Sequence, residues 1–311
     1  MRKFIIIFIC LVWSLDAYSF WIWSPKNKKW KNPELSALAT PGQQSEKALE
    51  KLENKRYKSA LKEFRKLLTQ FPDSMEAAEA QYYVGVCWEK IGNPFRAFEE
   101  YQKVIDVYPN SKRIQDIVAS QYAIGEYFLN REPKKWLGLS LSSLSEHPSL
   151  EIFKKVVDNA PYSEYAPRAQ YKLGLLYSNL RRYEEAKDAF QTLLDNYPDS
   201  EWAEAGKYQL ALAGAKASSG VDYDNANRKE ALKHFSDFLE KHPDTELSSE
   251  AEKHFSGLRE EEAKKQYEIG LFYEKQNKIS SASVYYQDLL DKYPGTEYAG
   301  KAEQRLKELR P

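Results

Sequence analysis

The sequence predicts an all-α protein, a solenoid of about six stacked helix pairs. Three observations predict it. The 311 residues hold only 13 Gly and 14 Pro in a chain rich in Leu, Ala, Glu, Lys and Tyr, a composition that favours helices. One short phrase recurs: FPDS at Phe71, YPNS at Tyr108, APYS at Ala160, YPDS at Tyr197, HPDT at His242 and YPGT at Tyr293, with prolines spaced by 37, 52, 37, 45 and 51 residues. A small residue also precedes the proline at a fixed offset: Gly85 to Pro109, Gly174 to Pro198 and Gly270 to Pro294 are each 24 residues. Self-similarity at such a period marks an array of small supersecondary units.

The chain opens with MRKFIIIFICLVWSLDAYS, in which Arg2 and Lys3 precede an apolar run and Ala17 and Ser19 place small residues where a signal peptidase reads. This predicts a secretory signal over residues 1–19, cleaved after Ser19. Two other readings stand beside it: an uncleaved anchor, for which the apolar run is short, and a lipoprotein signal with Cys10 as the lipidated residue. Either cleavage leaves Cys87 unpaired, so no intramolecular disulfide is expected, and Cys87 in YYVGVCWEK reads as a small core residue.

Residues 20–42 form a Trp, Lys and Pro-rich arm. Pro25, Pro33 and Pro41 forbid a helix running through it. Phe20, Trp21, Trp23 and Trp30, interleaved with Lys26, Lys28, Lys29 and Lys31, suit either a membrane interface with anionic headgroups or an extended strand docked on protein. A plain leader is the third reading.

Residues 43–311 carry the repeats. The unit AQYKLGLLYSNLRRYEEAKDAFQTLLDNYPDS from Ala169 holds Leu173, Gly174 and Tyr177, then Ala186 and Phe190, then Pro198. This resembles the tetratricopeptide pattern. Each unit is two amphipathic helices that cannot bury their apolar faces alone. Gly85, Gly125, Gly174 and Gly270 allow close approach of the second helix, with Ala60, Ala97, Ala186 and Ala282 facing them. Phe64, Tyr101, Phe190 and Tyr286 are expected to fill the space between neighbouring units. The proline ends the second helix, and the Ser or Thr two residues on can cap the next. Insertions fall inside the third unit (NREPKKWLGLSLSSLSEHPSL) and the fifth (SSGVDYDNANRKE). Near residues 246–276 no breaker occurs, which predicts one helix of about 30 residues that protrudes or bridges to a partner.

Catalytic chemistry is absent from the pattern. His147, His234, His242 and His254 do not pair at metal-ligand spacing, and no phosphate loop or nucleophile elbow occurs. DYDNANRKE lacks the turn Gly and terminal Glu of a calcium loop and reads as a turn with a helix cap. With 46 basic and 46 acidic residues, nucleic acid is not expected as the partner. The reading is a non-enzyme with no cofactor, no metal and no small-molecule substrate.

One constellation recurs. Tyr82, Tyr122, Tyr171, Tyr208 and Tyr267 each stand three residues before the small residue of a first helix. As a ladder on stacked first helices they are candidates for peptide binding. The other reading is that they wedge between first helices and only stabilise the stack.

A signal followed by tetratricopeptide units ending in YPxS or YPxT is similar to the BamD family, lipoproteins of the outer-membrane β-barrel assembly machine. The resemblance rests on YKSALKEFRKLLTQFPDSMEAAEAQYYVG and APRAQYKLGLLYSNLRRYEEAKDAFQTLLDNYPDSEWAEAGKYQLA. It implies a periplasmic adaptor at the inner face of the outer membrane, binding a BamA-like barrel subunit and unfolded outer-membrane proteins. The tyrosines would then contact an extended client segment. Phe20 stands where that family carries its lipidated Cys, and six units stand where five are usual. A Tol-Pal-linked envelope coordinator, or another periplasmic scaffold, is the alternative.

Overall fold

The computed structural model describes residues 22–24, 29–31, 37–131, 135–136, 139–140, 147–218 and 225–309. The expected signal, Cys10, Phe20 and Trp21 lie outside them. The chain forms two compact units, residues 1–120 and 121–311.

The first unit holds a short antiparallel hairpin, β1 (Ile22–Ser24) and β2 (Lys29–Lys31), with Trp23 directly opposite Trp30. The arm is thus a local ribbon across part of its length. Helices α1 (Pro41–Glu53), α2 (Tyr57–Gln70), α3 (Ala77–Ile91) and α4 (Pro94–Val107) then pack in sequence. Pro41 does not exclude the helix that follows it. It occupies the first helical position, where its missing N–H costs nothing, and Thr40 caps the helix by accepting from Gln43 N at 3.3 Å. Helix α5 (Ile114–Leu129) crosses the boundary between the units.

In the second unit a two-residue hairpin, β3 (Lys135–Trp136) with β4 (Leu139–Ser140), lies within the first insertion. Helices α6 (Pro148–Asn159), α7 (Tyr165–Asn179), α8 (Tyr183–Asn196), α9 (Ala203–Ser218), α10 (Asn225–Lys241), α11 (Ser248–Lys275), α12 (Ile279–Lys292) and α13 (Glu297–Leu309) follow. The six expected pairs are therefore present among the described residues, closed by a thirteenth helix packed on α11 and α12.

The repeat phrase explains the helix ends. The residue before each proline is driven out of the helical region by the ring. Phe71, Tyr108, Ala160, Tyr197 and Tyr293 all end their helices with φ between −148° and −126°. Inside the pairs, the turn uses one left-handed residue: Lys55, Gly92, Arg181 and Asn277 have φ of 57–88°. Both insertions enter the chain at this same turn. The Ser or Thr two residues after the proline serves to close the turn or to cap, according to the unit. Ser163 Oγ donates back to Ala160 O at 2.8 Å, whereas Thr296 Oγ1 accepts from Ala299 N at 3.2 Å.

The glycines act as expected, and the rings fill the notches they leave. A Cβ built on Gly85 would lie 2.5 Å from Tyr101 Cδ1, and one on Gly125 2.6 Å from Phe153 Cε1. At Gly174 it would meet Phe190 Cζ at 2.6 Å, and at Gly270 Tyr286 Cδ1 at 2.8 Å. Each of these rings is therefore seated in the notch of its own pair, and in the first pair Phe64 also reaches the next pair, stacked on Tyr83 at 5.4 Å. The identity of the ring follows the residue four positions after the notch. Where that residue is Glu, the ring is Tyr: Tyr101 donates to Glu89 at 2.7 Å and Tyr286 to Glu274 at 2.9 Å. Where it is Leu52, Leu129, Ser178 or Ala215, the ring is Phe (Phe64, Phe153, Phe190, Phe235). A buried phenol needs an acceptor and a buried benzene does not.

Helix α11 has 28 residues, about 42 Å at the helical rise. It does not protrude. Ala251 and Leu258 of its first half pack with Phe235 and Phe238 of α10, and Ala263 of its second half packs with Tyr286 and Leu289 of α12. One helix thus closes the fifth pair and begins the sixth. Cys87 is fully buried, and burial pushes its thiol up to about 11, so it stays a neutral core group.

Candidate functional site

The five tyrosines share one local geometry. Each lies against the notch ring of its own pair: Tyr82 with Tyr101 at 5.7 Å, Tyr122 with Phe153 at 5.7 Å, Tyr171 with Phe190 at 5.8 Å, Tyr208 with Phe235 at 6.3 Å and Tyr267 with Tyr286 at 5.5 Å between centroids. These are ordinary separations for offset or tilted aromatic pairs.

A second neighbour comes from the helix that follows, four residues after the repeat proline. Arg113 stacks over Tyr82 at 4.9 Å, Tyr165 meets Tyr122 at 5.4 Å, Trp202 meets Tyr171 at 5.0 Å and Tyr298 meets Tyr267 at 5.6 Å. At the fifth unit the position is Leu247, packed on the cluster that holds Tyr208. The tyrosines therefore do wedge between successive first helices. Tyr122 and Tyr208 are 9% and 3% exposed, and burial raises both phenols to about 12. Tyr82, Tyr171 and Tyr267 keep partly open rings.

Arg113 is held in place by Glu79, to which its Nε donates at 3.0 Å, and by Asp116 at 3.0 Å. These bonds raise its already high pKa and fix a permanent cation above Tyr82. In the second unit Arg168 does the same for two rings, 5.9 Å from Tyr122 and 5.8 Å from Trp202. The first helices that carry Tyr82, Tyr171 and Tyr267 thus offer a partly open aromatic face, with a guanidinium over Tyr82 and another beside Trp202, which packs on Tyr171. Such a surface suits an extended peptide with aromatic side chains and a carboxylate. It offers no group poised for covalent chemistry, and no cluster of His, Cys, Asp or Glu among the described residues could hold a metal.

Beneath the tyrosines lies a set that the sequence reading missed. The phrase is Gln-Tyr-x-x-Gly: Gln81, Gln121, Gln170 and Gln266 precede the tyrosines, and Gln44 holds the same place in the first pair. Gln44 Nε2 donates to Glu63 O and Oε2, both at 2.9 Å. Gln81 repeats this on Glu100 O at 3.0 Å and Oε2 at 2.8 Å, and Gln170 bonds Ala189 O at 2.9 Å. A buried amide that reaches a helical carbonyl ties first helix to second. The recurring Gln-Tyr dipeptide was the signal that could have shown it.

Of the arm residues, Trp23 and Trp30 are cross-strand partners in the ribbon. No helix of the described residues is long and apolar enough to cross a membrane.

The family model for YfiO, outer membrane lipoprotein, matches residues 139–309, just over half of the chain. A tetratricopeptide repeat model matches residues 79–111. No curated protein matches. Among solved structures, a tetratricopeptide repeat protein from Parabacteroides merdae is 14% identical, covering 86% of this chain and 96% of that one, with a TM-score of 0.34. The C-terminal part of a repeat protein from Cytophaga hutchinsonii is 17% identical over 85% and 87%, also at 0.34. MamA from Desulfovibrio magneticus is 19% identical over 68% and 99%, at 0.31. Likeness at this level carries no argument about function. The family match does: the chain belongs to the YfiO (BamD) family of outer-membrane lipoproteins, non-catalytic helical-repeat scaffolds associated with the outer membrane.

Proposed function

We propose that the protein is a periplasmic adaptor in outer-membrane β-barrel assembly, held at the inner face of the outer membrane. It binds a BamA-like barrel subunit and receives extended segments of unfolded outer-membrane proteins. The observation that carries this reading is the family match over residues 139–309. The open sides of Tyr82, Tyr171 and Tyr267 support the client role, with Arg113 and Arg168 beside the rings as partners for a carboxylate or an aromatic. Tyr122 and Tyr208 keep the first helices spaced and offer little surface of their own. The arm, in which Trp23 pairs with Trp30 across the hairpin, docks on protein or at the bilayer interface.

Depletion of the protein followed by measurement of heat-modifiable, folded barrels tests the reading. Folded barrels should fall, and expression of the wild-type chain should restore them. A Tyr171→Ala, Tyr267→Ala variant present at normal level should restore them less than half as well. Undiminished barrel folding on depletion would remove the assembly role.

A further inference from the structure

The sixth pair presents a face that other pairs bury. In a stack of pairs, one side of each first helix lies under the second helix of the pair before it. The residues on that side stand one before, two after and three after the notch residue. In the second pair they include Val84 and Cys87, both 0% exposed, and in the fourth Leu173, Leu176 and Tyr177, none above 7%. In the third pair Ile124 is buried as well, and Tyr127, 41% exposed, is stacked by Arg131 at 4.7 Å. The same places in the sixth pair hold Ile269, Phe272 and Tyr273. Phe272 is 57% exposed, and Ile269 and Tyr273 are partly open. Tyr285 of α12 stacks on Tyr273 at 5.2 Å and continues the face.

The length of α11 explains the opening. Gly85 and Gly174 follow their repeat prolines by 13 residues, whereas Gly270 follows Pro243 by 27. The difference carries the sixth notch about 21 Å further along the helix. The preceding second helix, α10, stays on the first half of α11, where Ala251 and Leu258 pack with Phe235 and Phe238. Arg228 of α10 pairs with Glu262 at 2.8 Å, ten residues before Phe272, so the face around Phe272 lies beyond it.

A free end face of this array is built differently. The first pair has no helix before it among the described residues. Its same places hold Lys47, Glu50 and Lys51, with Glu63 where α12 has Tyr285. Glu63 pairs with Lys51 at 2.7 Å and with Lys47 at 3.6 Å. That is the polar finish a terminal repeat needs. The sixth pair carries aliphatic and aromatic side chains instead, and an exposed apolar patch marks an interaction surface. Next to Tyr285 in sequence, Val284 is 67% exposed where the other second helices carry Lys62, Glu99, Glu151, Asp188 and Lys233.

Size and charge identify the occupant. Lys265 stands one turn before Ile269, and Lys278 lies 5.8 Å from the Tyr273 ring, so a cation marks each end of the face. The acidic neighbour Glu268 is taken up by Lys264 at 3.9 Å. Between the two cations there is room for about three turns of helix. Four side chains fall well short of the roughly 800 Å² per partner that a stable pair of copies buries, but they match what one helix lays into a groove. We propose that this face receives one amphipathic helix of a partner protein, apolar on its inward side and acidic toward both ends. It takes the place that a preceding second helix takes in the other pairs. The proposal deepens the adaptor reading and rests on it only for the existence of a partner.

The test is fluorescence anisotropy with the purified protein and a labelled peptide of about 15 residues, with leucine at alternating three- and four-residue spacing and glutamate near both ends. A twin carries lysine in place of glutamate. The acidic peptide should bind at least tenfold more tightly than the twin. Phe272→Ser should weaken that binding about tenfold with unchanged helical content. Val107→Ser, at an exposed apolar residue of the first unit, should leave it unchanged. Lys265→Glu with Lys278→Glu should reverse the preference between the twins. Failure of the acidic peptide to bind, equal binding of the twins, or full binding by the Phe272 variant would overturn the proposal. So would a dimer of the wild-type chain that Phe272→Ser abolishes, since the occupant would then be a second copy. No barrel protein is present, so failure here leaves the assembly role standing, and undiminished barrel folding on depletion leaves these results intact.

Discussion

Replacing Phe190 by Ala should destabilise the second unit by about 3–5 kcal/mol, the usual cost of deleting a fully buried phenyl ring. The ring is 0% exposed, fills the notch of Gly174 and supports Tyr171. Removing it opens a cavity between the two helices of its pair. For a unit of this size the loss corresponds to a fall in melting temperature of about 10 °C. In a repeat array, stability is largely a sum over neighbours, so the loss should appear first in α7, α8 and α9. Hydrogen exchange resolved by peptide checks this directly. Phe272→Ala is the control, because that ring is 57% exposed and its removal should cost well under 1 kcal/mol. Equal losses for the two variants would contradict the notch account.

The second large effect concerns Glu63 in the first unit. Its side chain is 5% exposed and accepts from Gln44 at 2.9 Å and Lys51 at 2.7 Å, with Lys66 at 3.4 Å and Lys47 at 3.6 Å. Burial alone would raise its carboxyl. The bonds from Lys51 and Gln44 and the charges of Lys66 and Lys47 overcome this and hold it at about 2, against 4.5 unperturbed. A pKa lowered on folding contributes stability that is fully present above the unfolded value. That stability is lost as pH falls through the folded one. Here the window runs from about 4.5 down to 2, and the contribution is on the order of 3 kcal/mol. Glu63→Gln should lose that amount at pH 7, because it strands three lysines around an uncharged amide. The gap between wild type and variant should close as pH approaches 2. Denaturant unfolding followed by circular dichroism at pH 7, 4 and 2.5 checks it. A gap constant with pH would show that the carboxylate charge is not the cause.

Much of the fold was legible because the repeat is written in few residues. The prolines gave the helix ends and the glycines gave the notches, and both depend on local backbone chemistry that sequence reports directly. Depth was less legible. Helical phase places Tyr122 and Tyr208 on the same face as Tyr171, but burial depends on what the next helix brings four residues after its proline. That neighbour is Tyr165, Leu247 or Trp202 according to the unit. The notch that seats Phe190 and its counterparts was not legible for a related reason. Spacing shows that a ring faces inward, but only the notch geometry shows which pair holds it. The length of α11 was readable from the lack of breakers. Its role was not, since the apolar residues of its two halves serve different helices. The Gln-Tyr phrase was visible, but its meaning required the carbonyls of Glu63, Glu100 and Ala189, which no sequence pattern displays.

On the proposed function, this helical scaffold works by holding a barrel-assembly partner. A tagged copy expressed at native level and recovered from detergent-solubilised envelopes, with co-purifying proteins identified by mass spectrometry, tests it most directly. Recovery of a BamA-like barrel subunit in near-equal amount is expected. Recovery of Tol-Pal components, or of no barrel protein, would contradict it.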